Sequence, residues 1–176
     1  MPLAARRAAI EQLTTTNGRS VAALSQAGPV LLVFLRHFGC TFCREALDDL
    51  SRLRPDLEGR GVTLVLVHMA DTTVSAEYFQ KYNLTGVAEV SDPDCRYYAA
   101  FGLTKGTARQ LFGLHSWIRG FEAGVVRGHG VGARQLGDGF QMPGVFVLRA
   151  GRVTAEFIHD RAGDRPAYRD LLEGCC

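Results

Sequence analysis

The chain has 176 residues, of which 47% are hydrophobic and 22% are charged, the ordinary composition of a single globular domain. A formal net charge of +2 gives no case for nucleic acid or a membrane surface as a partner. Five cysteines, an odd number, do not suit a secreted disulfide framework, and no apolar stretch reaches the length of a transmembrane helix. We therefore expect a cytoplasmic protein in a reducing compartment.

The first predicted elements are a short helix over residues 2–13 and a strand over residues 30–35. The second of these segments is continuously apolar, which is typical of a strand buried on both faces. Gly39 then turns the chain into a helix that Pro55 is expected to kink or end. One side of that helix carries Leu47, Leu50, Leu53 and Leu57.

A second apolar run over residues 62–68 predicts a parallel neighbour of the first strand, completing a right-handed βαβ unit. Thr72 or Thr73 is expected to cap the next helix. Three of its side chains should face inward: Ala76, Phe79 and Tyr82. A short strand over residues 87–90 follows.

The sequence Ser91-Asp-Pro-Asp94 predicts a turn and a helix start. An aromatic-rich element with inward-facing side chains comes next: Tyr97, Tyr98, Phe101 and Leu103. Strands over residues 144–148 and 153–159 form a hairpin at Ala150-Gly151, and a last helix covers residues 167–172.

Residues 104–139 form a basic, glycine-rich stretch with one apolar helical stripe from Leu111 to Phe121. One interpretation is an insertion that docks an apolar helix on the core and leaves the rest solvated. The other is a lid whose cations attract an anionic substrate. In both, the chain is one domain over residues 1–176 with this stretch inserted in it.

The motif Cys40-Thr-Phe-Cys43 lies where the first strand gives way to a helix. Residues three apart in a first helical turn face the same way, within reach of a disulfide. Helix amide groups, with Arg36, His37 and Arg44 nearby, favour a thiolate. Lowering a thiol pKa to about 7 needs roughly 2 kcal/mol, which such groups can supply. We expect a redox-active pair.

Two other uses of this motif are a metal site and a pair of inert thiols. Zinc would need a second ligand pair, which is missing apart from the adjacent Cys175-Cys176. A non-catalytic redox sensor or a soft-metal site, Zn or Cu(I), made by Cys40, Cys43 and His37 stays the alternative. No Gly-x-Gly-x-x-Gly follows a strand, so we expect no nucleotide cofactor.

The segments Phe34-Leu-Arg-His-Phe-Gly-Cys-Thr-Phe-Cys-Arg-Glu45, Ser91-Asp-Pro93 and Gly137-Asp-Gly-Phe-Gln-Met-Pro-Gly-Val-Phe-Val-Leu148 resemble the peroxiredoxin-like proteins. The likeness is to the alkyl hydroperoxide reductase and thiol-specific antioxidant group, including its selenoprotein L-like and prostamide/prostaglandin F synthase-like members. It implies an α/β thioredoxin-like fold. In that fold a central mixed sheet is flanked by helices, here with an N-terminal extension and an insertion before the last hairpin.

The chain departs from the peroxiredoxin Pro-x-x-x-Thr-x-x-Cys pattern. Laid on that pattern, Cys43 takes the peroxidatic position, and Arg36 and Cys40 stand at the proline and threonine positions. Pro143 stands at the position of the family's distant arginine, where thioredoxins are similar in having a cis-proline. We therefore expect a cis bond between Met142 and Pro143.

The two resemblances give the cysteines opposite roles. By similarity to thioredoxins Cys40 attacks and Cys43 resolves, and by similarity to peroxiredoxins the roles reverse. We expect Cys40 to attack, since the first residue of such a turn is usually the exposed one. Arg36, His37, Thr41 and Pro143 are the supporting residues.

The resemblance implies an antioxidant oxidoreductase that reduces peroxides, either hydroperoxides or endoperoxides, or disulfides. Its partners would be a thioredoxin- or glutathione-type electron donor and the oxidised substrate, and the chain would be a monomer or homodimer.

Overall fold

The computed structural model describes residues 3–107, 137–161 and 163–174. The first half of the chain contains α1 (Leu3–Gln12), α2 (Val21–Ala27), β1 (Val30–Phe34), α3 (Thr41–Gly59), β2 (Thr63–His68) and α4 (Thr72–Lys81). The remainder contains β3 (Ala88–Ser91), α5 (Arg96–Ala100), β4 (Gly144–Arg149), β5 (Arg152–Ile158) and α6 (Tyr168–Glu173).

The strands form one five-stranded mixed sheet in the order β3-β2-β1-β4-β5. β1 pairs in parallel with β2, and β2 pairs in parallel with β3. β4 lies antiparallel to both β1 and β5, with Val30 opposite Leu148. The predicted mixed sheet flanked by helices is confirmed, and so is the closing hairpin.

Each face of the sheet has its own hydrophobic core because the side chains of β1 alternate. Leu31 and Val33 pack with the four leucines of α3, and Leu32 and Phe34 pack with α1, α2 and α5. All five residues of β1 are buried, as the unbroken apolar run predicted. β1 is also the middle strand of the five. It therefore lies between the two cores.

The structure differs from the sequence analysis in two of the early helices. α2 was not predicted, although the Ser20 hydroxyl caps it by accepting from the amide of Ala23 at 3.3 Å. α3 does not end at Pro55 but continues to Gly59. Burial of its leucine side outweighs the single backbone bond that a proline removes.

α4 also begins differently from the prediction. Its cap is Asp71, not a threonine, because the Asp71 carboxylate accepts from the amides of Thr73 and Val74 at 2.9 and 3.0 Å. Ala76 is exposed, and the buried positions of the helix are Ser75 and Phe79.

The segment that follows β3 ties α5 to the sheet. The buried Asp92 carboxylate accepts from the amides of Arg96 and Tyr97 at 3.0 and 2.8 Å, which caps α5. The buried Tyr98 hydroxyl donates to the carbonyl of Leu35 at 2.6 Å and lies 3.1 Å from that of Val67. This hydroxyl holds the carboxyl end of β1 in place, just before the cysteine motif.

The two ends of the predicted insertion are joined to each other. Met142 donates its amide to the carbonyl of Thr104 at 3.2 Å, and Gly106 donates to the carbonyl of Phe140 at 2.7 Å. Lys105 and Asp138 form an ion pair at 2.7 Å. We call residues 103–106 with 138–142 the clasp. The apolar stripe from Leu111 to Phe121 lies outside the described residues, as do Cys175 and Cys176.

Within the described ranges, no helix is both long and apolar enough to cross a membrane.

We expect Tyr98→Phe to lower the free energy of unfolding by about 1–3 kcal/mol, since the buried carbonyl of Leu35 loses its donor. Tyr97→Phe is the matched control. Its hydroxyl donates to the carbonyl of Gln12 at an exposed site, so the cost should stay near or below about 0.5 kcal/mol. Urea unfolding of both variants measures the difference, and equal costs would contradict the anchoring role.

Candidate active site

The cysteine motif is positioned by a short loop between β1 and α3. Phe38, in the middle of this loop, is fully buried and stacks on Tyr78 with ring centroids 4.7 Å apart. The amide of Cys40 donates to the carbonyl of His37 at 3.0 Å, which closes the turn. Cys40 is then the N-cap residue of α3, and Cys43 lies in the first turn of that helix.

Arg36 lies beneath this loop with only 2% of its surface exposed. Its guanidinium contacts the sulfur of Cys40 at 3.2 Å and the carbonyl of Gln141 at 3.2 Å, and it also donates to the carbonyl of Gly139. Among residues 3–107, 137–161 and 163–174, no carboxylate forms an ion pair with it. A buried guanidinium is stabilised by an anion, and the Cys40 sulfur is the group in position to carry that charge.

Both cysteines are free thiols and both are buried, with 5% of Cys40 and 3% of Cys43 exposed. The expectation that Cys40 is the exposed residue of the pair was wrong. The packed loop around Phe38 and the clasp segment above Arg36 enclose the sulfur from two sides. Exposure therefore does not distinguish the two thiols, and we compare the charges around them instead.

Those surroundings differ between the two thiols. Burial, together with the nearby Cys40, raises the pKa of Cys43 far above its ordinary value, and Arg36 and Arg44 offset this only in part. The Cys43 sulfur lies 3.5 Å from the carbonyl of Arg36, where a protonated thiol can donate. Cys43 is thus held as a neutral thiol, while Cys40 faces a guanidinium.

His37 does not contribute positive charge at neutral pH, contrary to the sequence expectation. Burial of the half-buried ring, with the repulsion of Arg36 and Arg44 only partly offset by Asp138, lowers its pKa to about 4. Its imidazole is therefore neutral at pH 7. Of the three positive groups expected near the thiols, the two arginines remain.

Pro143 lies beside the site, but the expected cis bond before it was wrong, because no described peptide bond is cis. A cis bond was expected to leave the backbone of Met142 free for a substrate. Instead the clasp uses both groups: the amide donates to Thr104, and the carbonyl accepts from the Gln141 side chain at 3.3 Å. Thr41, the remaining predicted site residue, is the first residue of α3 and is partly exposed.

A partly open cavity of about 40 Å³ adjoins the site on the side of β4 and the C-terminal segment. That volume holds about three water-sized groups. Of the two cysteines only Cys43 lines it. Arg36 also lines it, and so do Phe42, Ala46, Pro143, His159 and Tyr168.

A soft-metal site is not supported in the part of the chain that the structure describes. No group of three or more His, Cys, Asp or Glu side chains there is arranged to hold a metal ion. His37 therefore does not join Cys40 and Cys43 as a third ligand.

Comparison with known proteins identifies the family. The model of the family described as "AhpC/TSA antioxidant enzyme" matches residues 49–161, more than half of the chain. The chain belongs to the AhpC/TSA antioxidant enzyme family. It is an oxidoreductase with a thioredoxin-like fold. The matched range begins after Cys40 and Cys43, so it does not bear on which sulfur attacks.

Two curated proteins and one solved structure are similar to this chain. Prostamide/prostaglandin F synthase of Salmo salar is 28% identical over 165 residues, covering 90% of this chain and 81% of that protein. Peroxiredoxin-like 2A of Xenopus laevis is 28% identical over 150 residues, covering 81% and 61%. The solved structure of the Xanthomonas campestris bacterioferritin comigratory protein has a TM-score of 0.64 at 15% identity, covering 96% and 92%, and shows the fold alone.

Sequence reasoning missed Gln141 and His159. The Gln141 side chain is buried and donates to the carbonyl of Leu103 at 2.9 Å, while its backbone carbonyl accepts from Arg36. His159 directly follows β5 and lines the cavity. No local sequence pattern predicts either of them as a site residue, because each contacts the site only through residues distant in the sequence.

The lowered pKa of His37 predicts a pH dependence of stability. The unfolded chain binds the His37 proton near pH 6.5 and the folded chain binds it near pH 4. The unfolded state therefore holds more protons between these values, and stability falls as pH drops through that window, by up to about 1.4 kcal/mol per pH unit. Urea unfolding of wild type and His37→Gln from pH 7 to pH 4 should show a shallower loss in the variant. Parallel curves would contradict the assignment.

Proposed function

We propose that this protein is a thiol-dependent peroxidase in which Cys40 attacks the substrate and Cys43 resolves the product. The observation that supports this most is the contact at 3.2 Å between the Arg36 guanidinium and the Cys40 sulfur. A thiolate is the attacking form of cysteine, and this contact stabilises that form at Cys40. Cys43, held protonated by burial, suits the second step.

The reaction begins when the Cys40 thiolate attacks one oxygen of a peroxide O–O bond. A sulfur–oxygen bond forms, the O–O bond breaks, and the alkoxide takes up a proton and leaves as an alcohol. The Arg36 guanidinium lies beside the sulfur, where it also stabilises the departing oxygen. The Cys43 thiol then displaces water from the sulfenic acid, giving the Cys40–Cys43 disulfide. A thioredoxin- or glutathione-type thiol donor restores both thiols.

A second candidate activity is the reduction of substrate disulfides. It is favoured by the Cys-x-x-Cys placed at the start of α3, with Pro143 next to Cys43 in the cavity wall. Here Cys40 attacks a disulfide sulfur and forms a mixed disulfide, which Cys43 then displaces. Stopped-flow rates with hydrogen peroxide, an organic hydroperoxide and a model disulfide on one preparation separate the two. Rapid disulfide exchange without any peroxide reaction would reject the peroxidase.

The cytoplasmic location and the oligomeric state, monomer or homodimer, are further parts of this proposal. Free Cys40, Cys43 and Cys95 in the described part of the chain suit a reducing compartment. We include an endoperoxide among the proposed substrates, because it contains the same O–O bond.

The two cysteines should respond differently to replacement. Cys40→Ser should slow the first oxidation by a hydroperoxide at least about a thousandfold, because the attacking sulfur is lost. Cys43→Ser should keep that rate and accumulate sulfenic acid or a mixed disulfide on Cys40, which intact-protein mass spectrometry detects. Cys95→Ser is the control and should behave as wild type. If Cys43→Ser abolished the first step while Cys40→Ser preserved it, the roles would be reversed.

A further inference from the structure

The cavity beside Cys43 has no part in the attack by Cys40. Its walls come from the end of β1, the first turns of α3, the start of β4 and residues 163–168. The last of these segments is tied to α3 by Arg165, which forms an ion pair with Asp49 at 2.5 Å. The backbone at Gly163 packs on the ring of Phe42, where an added Cβ would lie 3.2 Å from two ring atoms. The result is a small, defined space that reaches one sulfur of the pair.

Thiol–disulfide exchange is an in-line displacement, so the attacking thiol approaches a sulfur from the side opposite to the leaving sulfur. Cys43 lines the cavity and Cys40 does not. Attack through the cavity on the Cys43 sulfur therefore makes Cys40 the leaving group. A leaving thiolate departs faster when it is stabilised, and Arg36 lies 3.2 Å from the Cys40 sulfur.

His159 gives the cavity a proton acceptor. Its Nδ1 atom is buried and has no hydrogen-bond partner among the described residues. Burial and the charge of Arg36 lower the pKa of the ring, and the Asp164 carboxylate and a backbone hydrogen bond at Arg161 offset this only in part, so the imidazole is neutral at pH 7 and has a nitrogen lone pair. An unpartnered buried nitrogen costs stability unless a ligand or proton satisfies it.

We propose that this cavity binds a low-molecular-weight monothiol, which reduces the Cys40–Cys43 disulfide by attacking the sulfur of Cys43, with His159 accepting the proton of the thiol. The proposal rests on the proposed function only in requiring that disulfide. About 40 Å³ accommodates the thiol end of a small molecule, which is why we favour such a donor over a protein dithiol.

The step balances with two equivalents of the monothiol. The first gives its proton to His159 and its sulfur bonds to Cys43, while the Cys40–Cys43 bond breaks and its electron pair goes to Cys40 as a thiolate. The second monothiol releases its proton and attacks the bound donor sulfur. This forms the donor disulfide and a Cys43 thiolate, which takes the proton held by His159. Two electrons pass from the two thiols to the protein disulfide, and one proton is released.

The test uses the wild-type chain oxidised with diamide, so that it does not depend on peroxidase activity. Oxidised protein is mixed with 2-mercaptoethanol, quenched with N-ethylmaleimide at early times and digested for mass spectrometry. We expect the mixed disulfide on Cys43 and the maleimide on Cys40. A mixed disulfide on Cys40 would overturn this proposal and leave the proposed function intact. Failure to form any Cys40–Cys43 disulfide would overturn both.

Two variants test the cavity and its histidine separately. Ala46→Leu places extra bulk in the cavity wall and should slow reduction by 2-mercaptoethanol at least about tenfold. Ala76→Leu, at an exposed position of α4, is the matched control. His159→Gln should slow reduction at pH 7 but have little effect at pH 10, where the monothiol is already a thiolate. Equal rates for Ala46→Leu and Ala76→Leu, or a pH-independent effect of His159→Gln, would contradict the assignment.

Discussion

A permanently charged guanidinium lies in the interior of this protein at Arg36, and within the described residues no carboxylate balances it. Taking such a group out of water is costly unless hydrogen bonds and an opposite charge compensate. Two backbone carbonyls supply hydrogen bonds, and the Cys40 sulfur supplies the one position where a negative charge can form. The proposed division of roles between the two thiols rests on this contact of Arg36 with the Cys40 sulfur.

The same guanidinium joins three parts of the fold. It follows β1 directly, it contacts the first residue of α3, and it holds the carbonyls of Gly139 and Gln141 in the clasp. The clasp in turn closes the base of the segment between residues 106 and 138. Cys43, one helical turn further on, lies 3.5 Å from the Arg36 carbonyl and lines the cavity, as Arg36 also does. The two sulfurs thus share Arg36 as a neighbour, but only Cys40 contacts its guanidinium and only Cys43 lines the cavity.

The helices and strands named here were predictable because each follows from a local sequence pattern. The unbroken apolar run that became β1 and the leucine spacing of α3 each fix one buried surface, and the hairpin at Ala150-Gly151 follows from turn chemistry. The motif of Cys40 and Cys43 was visible for the same reason. Burial of Cys40, neutrality of His37 and the trans bond before Pro143 were not predictable. They depend on how the clasp packs over the loop, at sequence separations of about a hundred residues.

The charge on Cys40 can be measured directly by the absorbance of a thiolate near 240 nm in the reduced protein at pH 7. We predict that wild type and Cys43→Ser show the absorbance of one thiolate more than Cys40→Ser, and that Arg36→Met loses this excess while Arg44→Met retains most of it. Equal absorbance in wild type, Cys40→Ser and Arg36→Met would show that the guanidinium and the sulfur do not form a charge pair, and would contradict the assignment of Cys40 as the attacking residue.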